Sequence, residues 1–278
     1  MDDYIIIAVD SESKVAIRFG CLTQLIDSAL TTHNPSHSCL REALIQLVTS
    51  SVLLGSRQDE QQTLLFKLSF ENSPIRMNCE VSSLGASRVA VYPERQENLL
   101  DNLVVKQLSV TTLTRKNDVY ESHLMGRTVP AAFEQYLVQS QQAQSIFLWP
   151  SLDALSSSKK VLWVEKLPGT TDGIWKTFVQ HLSGAVWEAV QSEADPDRSM
   201  NALFPDGFRI LAITKPKLTC TCSFERVLSS LTLLSEADLA EIFMDGRGIH
   251  TRCDYCHKDW QVSDAEIRDL LKMPKQLQ

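Results

Sequence analysis

Long hydrophobic runs are missing from this sequence, and glycine is scarce. Only 10 of the 278 residues are glycine, and no segment approaches the ~20 apolar residues that a transmembrane helix needs. The apolar stretch at residues 5–9 follows an acidic N-terminus and is too short for the hydrophobic core of a signal peptide. We therefore expect a cytoplasmic protein without a membrane partner.

Basic charge is also in deficit. The chain has 27 lysines and arginines against 34 aspartates and glutamates, a formal net charge of −7. Its C-terminal part, residues 220–278, holds seven basic and ten acidic side chains. Because binding to nucleic-acid phosphates requires a basic surface, the sequence predicts no nucleic-acid partner.

The common catalytic motifs do not stand out either. We find no Ser-His-Asp set, phosphate-binding glycine loop or paired-carboxylate motif in the sequence. With 44% hydrophobic and 22% charged residues, the composition is that of an ordinary soluble globular protein. We predict that the protein is not an enzyme.

Two close cysteine pairs near the C-terminus are the most informative feature that is present. Cys220 and Cys222 form a C-x-C pair, and after an insert of thirty residues Cys253 and Cys256 form a C-x-x-C pair. Two such pairs, separated by an insert, are typical of four thiolates around one tetrahedral Zn²⁺. The spacing predicts one zinc ion per chain and leaves open whether the site is purely structural or also redox-active.

The other three cysteines, Cys21, Cys39 and Cys79, occur singly in apolar surroundings. Stable disulfides are rare in the cytosol, and an isolated cysteine among apolar residues is usually a small core side chain. We predict that these three residues contribute to packing and do not bind the metal.

The apolar pattern predicts an α+β fold, with antiparallel sheets and packed helices in an N-terminal domain at residues 1–169. Strands are indicated at residues 5–9, 15–19, 64–70, 75–81, 88–92, 104–114, 119–124 and 160–167. Helices are indicated at residues 22–30 and 38–54 and from Pro130 onward. A sustained βαβ alternation is not seen, which favours antiparallel sheets over a parallel one.

Residues 170–219 are predicted to be a linker that contains an amphipathic helix at residues 172–193, capped by Asp172. The apolar stripe of this helix consists of Trp175, Phe178, Val179, Leu182, Val186 and Val190, with Trp187 beside it. The stripe fits either a helix packed permanently on the core or a helix that can be released from it. The remainder, up to Thr219, contains Pro205, Gly207 and Pro216 and is predicted to be an irregular connector.

The zinc-binding segment, residues 220–278, shows its own helix signals. Residues 224–234 are amphipathic, and Ser235 with Asp238 indicates a capping box at the start of a second helix. A turn at residues 246–248 precedes the strand that carries the second cysteine pair. Ser263 with Glu266 indicates another capping box, and the last helix turns Ile267, Leu270 and Leu271 inward. Because so short a segment has little core, it needs the metal to fold.

The cysteine segment resembles the C-terminal zinc domain of the heat-shock protein 33 family. The members of this family are redox-regulated holdase chaperones. The resemblance rests on C-T-C-S-F-E-R at residues 220–226, the leucine-rich stretch after it, the glycine turn and C-D-Y-C at residues 253–256. Upstream, residues 64–81 are similar to the family's strand pair, and Q-S-Q-Q at 139–142 to its Q-S-E-Q. L-P-G at residues 167–169 is similar to the end of a family strand, so the resemblance spans nearly the whole chain.

The resemblance implies a mechanism. In the reduced state the four cysteines hold Zn²⁺ and the protein is inactive. Oxidants such as hypochlorous acid convert the thiolates into the disulfides Cys220–Cys222 and Cys253–Cys256, zinc leaves, and the linker loosens. The exposed apolar surface then binds unfolding client proteins without ATP, typically as a homodimer.

Several side chains are candidates for supporting roles in that mechanism. Arg226, Arg252 and Lys258 are near the cysteines in sequence and are either activators of the thiolates or solvated surface charges. On the linker, the candidate client-binding residues are Trp175, Phe178, Leu182 and Val186.

The sequence departs from the family pattern at two positions. Lys160-Val161 stands where the family usually has a glycine pair, and Gln141 replaces an acidic residue. The second function that fits the sequence is that of a non-enzymatic zinc protein whose static site serves a protein–protein contact.

Three further interpretations of the cysteine segment explain less of the sequence. Cys253-x-x-Cys256-His257 also matches a haem attachment motif, but haem attachment requires export and leaves the C-x-C pair unexplained. A thioredoxin-like oxidoreductase would place C-x-x-C at the opening of a βαβ unit, whereas here the motif follows a strand and a turn and opens no such unit. His257 could replace a cysteine as ligand, but four thiolates already complete the coordination, so we expect it outside the ligand set.

Overall fold

The structure, a computed structural model, describes residues 2–272 except residues 11, 13, 58–61, 84, 94–101, 115–118, 151–158, 183 and 247. Its contacts divide the chain into two compact units, Met1–Thr219 and Cys220–Gln278. The finer division into core, linker and zinc domain stays a prediction. Among the described residues, no helix is both long and apolar enough to cross a membrane.

The described strands are, in chain order, β1 Tyr4–Asp10, β2 Val15–Cys21, β3 Thr63–Phe70, β4 Arg76–Ser82, β5 Ala86–Tyr92, β6 Val105–Leu113, β7 Val119–Leu124, β8 Ser145–Leu148, β9 Lys160–Lys166, β10 Arg209–Thr214, β11 Lys217–Leu218, β12 Ile249–Arg252 and β13 Asp259–Val262. The described helices are α1 Thr23–His33, α2 Ser38–Gly55, α3 Val129–Gln141, α4 Asp172–Leu182, α5 Ala185–Ser192, α6 Pro196–Leu203, α7 Phe224–Leu231, α8 Glu236–Asp245 and α9 Asp264–Lys272.

Two sheets form the N-terminal unit. One has the strand order β10-β1-β2-β9-β8 and the other the order β11-β5-β4-β3-β6-β7. Neighbouring strands run antiparallel, except for the short parallel pair β11 and β5. The predicted α+β class with antiparallel sheets is therefore confirmed. The residues between the strands predicted at 104–114 and 119–124 lie outside the described residues.

The main core combines α1, α2 and α3 with both sheets. Strand β3 shows why the sequence pattern is informative: Leu64, Phe66, Leu68 and Phe70 alternate with more exposed residues and are each buried. Alternate side chains of a strand point to the same face, so this period of two places one face of β3 in the core.

A second apolar cluster covers the opposite face of the five-stranded sheet. Its sheet residues are Ile6, Ala8, Val15, Ile17, Phe19, Leu162 and Val164, and its helix residues are Phe178, Leu182, Val190, Met200, Leu203 and Phe204. Trp175 and Val186 are half-buried at its margin. Burial of each large apolar side chain is worth ~1.5–3 kcal/mol, so α4, α5 and α6 are held to the sheet mainly by this cluster.

The stretch at residues 172–193 is two helices rather than the single helix predicted. α4 ends at Leu182, and Gly184, at φ 70°, is the N-cap residue of α5. Glycine adopts this positive φ without steric cost. The apolar period continues across the break, which is why the sequence does not reveal it.

The predicted cap of α4 is also wrong. Asp172 is the first residue of the helix, and its carboxylate accepts a hydrogen bond from Nζ of Lys166 at 2.6 Å. Oγ1 of Thr171 accepts the N–H of Ile174 at 3.4 Å. The lysine partner lowers the pKa of Asp172.

Residues 195–219 do not form the irregular connector predicted, because they contain α6, β10 and β11. The Asp195 side chain accepts the N–H groups of Asp197 and Arg198, and Pro196 follows the cap, so the Asp-Pro pair starts a helix. β10 pairs with β1 at the edge of the sheet and is exposed along most of its length. An exposed edge strand lacks the alternation that identifies strands in a sequence.

The single cysteines differ from one another. Cys21 and Cys79 are buried, and burial raises the pKa of the Cys79 thiol to about 12. Cys39 is only half-buried on α2, so its predicted place in the core is wrong.

Lys160, at the start of β9, is buried and bonds to the end of α5. Its Nζ donates to the carbonyl oxygen of Val190 at 2.7 Å and to that of Glu193. In return, Nε2 of Gln191 donates to the carbonyl oxygen of Lys160 at 3.2 Å. A cation is favourable at the C-terminal end of a helix, where carbonyl groups lack helical partners. These bonds fasten α5 to the sheet.

We predict that Lys160→Met loosens α5 by about 1–3 kcal/mol, because the charge-assisted hydrogen bonds are lost. Hydrogen exchange of the amides at residues 185–192 measures this local opening. Lys176→Met removes an exposed lysine from α4 and serves as the matched control. Unchanged protection of α5 in Lys160→Met would contradict the fastening role.

Candidate metal centre

The four C-terminal cysteines lie in two turns of the second unit. Cys220 and Cys222 directly precede α7, and Cys253 and Cys256 lie between the antiparallel strands β12 and β13. The four sulfur atoms all lie within 4.8 Å of one another. The structure thus brings together the two pairs that the sequence places thirty residues apart.

The spacing of the sulfurs fits one tetrahedral ion. Sγ of Cys220 is 3.6 Å from Sγ of Cys253, and Sγ of Cys222 is 3.4 Å from Sγ of Cys256. With Zn–S bonds of about 2.3 Å, the sulfurs of a zinc tetrahedron are ~3.8 Å apart. The donor set is four thiols, which is the preference of zinc at closed structural sites. The residues present therefore fit the metal.

Backbone hydrogen bonds shape the second cysteine turn. The N–H of His257 donates to the carbonyl oxygen of Cys253 at 2.8 Å, and the N–H of Cys253 donates to that of Lys258 at 2.9 Å. His257 has φ 57°, a left-handed conformation that closes the turn. Among the described residues, the potential metal-ligating cluster contains the four cysteines and not His257.

The cysteines do not ionise equally. Burial raises the pKa of the Cys220 thiol to about 12, and burial also raises the pKa of Cys222. Burial opposes ionisation of Cys253 too, but the N–H groups of Cys256 and Tyr255 donate to its sulfur and lower its pKa. Cys253 therefore ionises more readily than Cys220 and Cys222, because its own turn supplies hydrogen bonds to the thiolate.

The three candidate activating cations have other described contacts. Nη1 of Arg226 donates to Oγ1 of Thr221 at 2.6 Å. Nε of Arg252 donates to the carbonyl oxygen of His257 at 3.0 Å. Their proposed effect on the thiolates stays a prediction.

The third cation, Lys258, stacks on an aromatic side chain that the sequence pattern alone did not single out. Its Nζ lies 4.0 Å from the ring centroid of Trp260, and Trp260 in turn is 6.2 Å from the ring of Phe224. Phe224 begins α7 and Trp260 lies on β13, so this contact joins the segments that follow the two cysteine pairs. The sequence signal for this contact is an aromatic residue soon after each cysteine pair.

Apart from the cysteines, the second unit has a very small core in the part that the structure describes. In its described part the buried apolar side chains are Leu239, Val262 and Ile267. The predicted capping boxes are both present: Ser235 with Asp238 and Ser263 with Glu266. α7 ends at Leu231, three residues earlier than predicted.

Gly248 is a further structural requirement of this unit, which the sequence indicates only as part of a turn. A Cβ at this position would lie 2.5 Å from the carbonyl oxygen of Val262, and φ is 66°. Its N–H donates to Oδ1 of Asp264 at 3.0 Å, which ties the start of β12 to the start of α9. A side chain here would separate β12 from β13 and so disturb the turn that holds Cys253 and Cys256.

Comparisons with known proteins agree on one family. The family model described as "Hsp33 protein" matches residues 3–263. The "33 kDa chaperonin" of Lachnoclostridium phytofermentans is 23% identical and covers 98% of this chain and 99% of its own length. The protein of the same name from Clostridium novyi is also 23% identical, with the same coverage.

A solved structure supports the fold. The 33 kDa chaperonin (heat shock protein 33 homolog) of Thermotoga maritima matches with a TM-score of 0.82 over 98% of both chains, at 16% sequence identity. With the family model covering nearly the whole length, this chain belongs to the Hsp33 protein family.

Proposed function

We propose that this protein is a redox-regulated, ATP-independent holdase chaperone of the cytoplasm and not an enzyme. The observation that carries the proposal is the cluster of four thiols in a unit with only three described buried apolar side chains. The relatives' name, 33 kDa chaperonin, supports the binding of unfolding client proteins.

In the reduced state, Cys220, Cys222, Cys253 and Cys256 would hold one Zn²⁺ per chain. The ion, when bound, keeps the thiolates ionised and supplies much of the folding free energy of so small a unit. The hydrogen bonds to the Cys253 sulfur would hold this one ligand in place before the metal binds. The thiols of Cys220 and Cys222, whose pKa values burial raises, would release protons on binding.

Oxidation would remove the ligands. Each disulfide forms when two thiolates give up two electrons to the oxidant, and two disulfides consume all four cysteines. We infer the pairs Cys220–Cys222 and Cys253–Cys256 from the family resemblance. All four sulfurs lie within 4.8 Å of one another, so a small movement brings the two sulfurs of each pair to bonding distance.

The consequence for the N-terminal unit is release of α4–α6. We infer that unfolding of the second unit loosens the linker, which frees the apolar face of the five-stranded sheet. Clients would bind there and to Trp175, Phe178, Leu182 and Val186, and the oxidised protein would act as a homodimer. Phe178 and Leu182 are buried on the sheet, so they become available only when α4 moves.

A static zinc site serving a protein–protein contact is the second candidate. It is favoured by the hydrogen bonds of buried Lys160 to the end of α5, which hold the linker in place. In that case α4–α6 are permanent core, and oxidation alters only the second unit.

The zinc assignment predicts that Cys253→Ser combined with Cys256→Ser removes the bound metal, because two thiolates cannot complete the site. Zinc content of the purified reduced protein measures this. Cys39→Ser is the matched control and should keep one zinc per chain. Full zinc in the double variant would refute the assignment.

The redox switch predicts that oxidation both releases zinc and activates the chaperone. Light scattering of a thermally unfolding client should fall when oxidised protein is added and remain high with reduced protein. The cysteine double variant should be insensitive to oxidant. Equal suppression by oxidised and reduced protein would leave the static zinc site as the better account.

The linker mechanism predicts that Phe178→Ser with Leu182→Ser undocks α4, since each burial is worth ~1.5–3 kcal/mol. The variant should suppress aggregation partly without oxidant while its zinc stays bound. Ile174→Ser, at a side chain that is 43% exposed on the same helix, is the control. Hydrogen exchange at residues 172–182 should be slow in reduced wild type and fast after oxidation, and equal protection in both states would contradict release.

A further inference from the structure

Four buried N–H donors of the N-terminal unit, on three residues whose side chains or charges act on one another, have no hydrogen-bond acceptor. Within the described residues they are Nε and Nη1 of Arg18, Nη1 of Arg57 and Nε1 of Trp163. The guanidinium carbon of Arg18 lies 4.5 Å from the ring centroid of Trp163, and the two residues are paired across β2 and β9. Unsatisfied buried donors are rare in proteins, and a group of them suggests a bound acceptor.

The charges in this layer do not balance. Arg57, just beyond α2, places Nη2 at 3.3 Å from Oε1 of Glu165, while its Nη1 remains without a partner. The charged groups that act on Arg18 are Glu165 and Arg57. Two guanidinium groups and one carboxylate leave one positive charge uncompensated.

Burial makes that charge costly. Arg18 is 9% exposed, and burial lowers its pKa to about 10, although Glu165 raises it. The stacking on Trp163 stabilises the cation in part. It does not satisfy the N–H groups, each of which loses hydration on burial.

We propose that Arg18 and Arg57 bind a small monovalent inorganic anion of the chloride type. Nη1 of Arg18 and Nη1 of Arg57 donate to it, and Trp163 forms a wall of the site. An anion is acceptor-only, as the donors require, and a single negative charge neutralises the layer. The proposal is independent of the metal centre and of the chaperone function.

The anion would join parts of the fold that are distant in sequence. Arg57 follows α2, Arg18 belongs to β2, and Glu165 and Trp163 belong to β9. A ligand that binds only this arrangement stabilises the folded protein by mass action. The protein's thermal stability should therefore depend on chloride itself and not only on ionic strength.

Crystals of the full reduced chain soaked in bromide test the site directly. We expect an anomalous peak within hydrogen-bonding distance of Arg18 and Arg57. A water molecule in that position, without anomalous signal, would overturn the proposal.

Thermal unfolding provides a test in solution. Chloride is exchanged for gluconate, which is too large to enter the layer, at constant ionic strength. The midpoint temperature of unfolding of the wild-type protein should rise with chloride concentration, and this rise should be abolished in Arg57→Gln. The Arg57 side chain is 29% exposed, so we expect the variant to fold.

Two further variants keep the solution test specific. Arg41→Gln removes an exposed arginine from α2 and should retain the chloride dependence of the wild type. Arg18→Lys keeps the charge but loses the guanidinium donors, and its midpoint should respond to chloride less than that of the wild type. The same chloride response in wild type and Arg57→Gln would show that no anion binds between these arginines.

Discussion

The described part of the C-terminal unit has almost no core apart from its four cysteines, so we expect its folding to depend on them. Leu239, Val262 and Ile267 are the buried apolar side chains of its described part. The capping boxes and the Phe224–Trp260 contact set local geometry, but neither joins the whole segment. A unit of this kind folds when its thiolates share a metal and has little to hold it otherwise.

The N-terminal unit is built differently, around a sheet that is apolar on both faces. One face of the five-stranded sheet belongs to the main core and the other to the cluster under α4–α6. A sheet that buries both faces needs a cover on each side. The linker helices are that cover, which is why their release would expose a broad apolar surface rather than a few side chains.

The sequence is informative where the signal is local or periodic. The capping boxes at Ser235 and Ser263 were predicted because each rests on side-chain to backbone contacts three residues apart. The four-cysteine cluster was predicted because metal chemistry restricts ligand spacing. The alternation in β3 identified a strand because one of its faces is buried.

Other features have no such signal. β10 is exposed at the sheet edge, so no alternation marks it, and Asp195-Pro196 fits a break in the chain and a helix start equally well. The Trp163 partner of Arg18 is set by the pairing of β2 with β9, and the partners of Lys160 by the packing of α5 on the sheet, neither of which the local pattern encodes. Such pairings appear only once the fold is known.

The pairing of β10 with β1 limits how far the linker helices can move away from the sheet. β9 and β10 both belong to the five-stranded sheet, so residues 167–208 form an arch whose two ends are anchored in it. While both strands stay paired, the helices can lift away only as a closed loop. The entropic free-energy cost of holding the two ends of such a loop together rises slowly with its length, by about 0.6 kcal/mol per doubling. A detached arch would therefore remain above the sheet face that it had covered, where it would compete with any chain bound there and would cover the sheet again when that chain leaves.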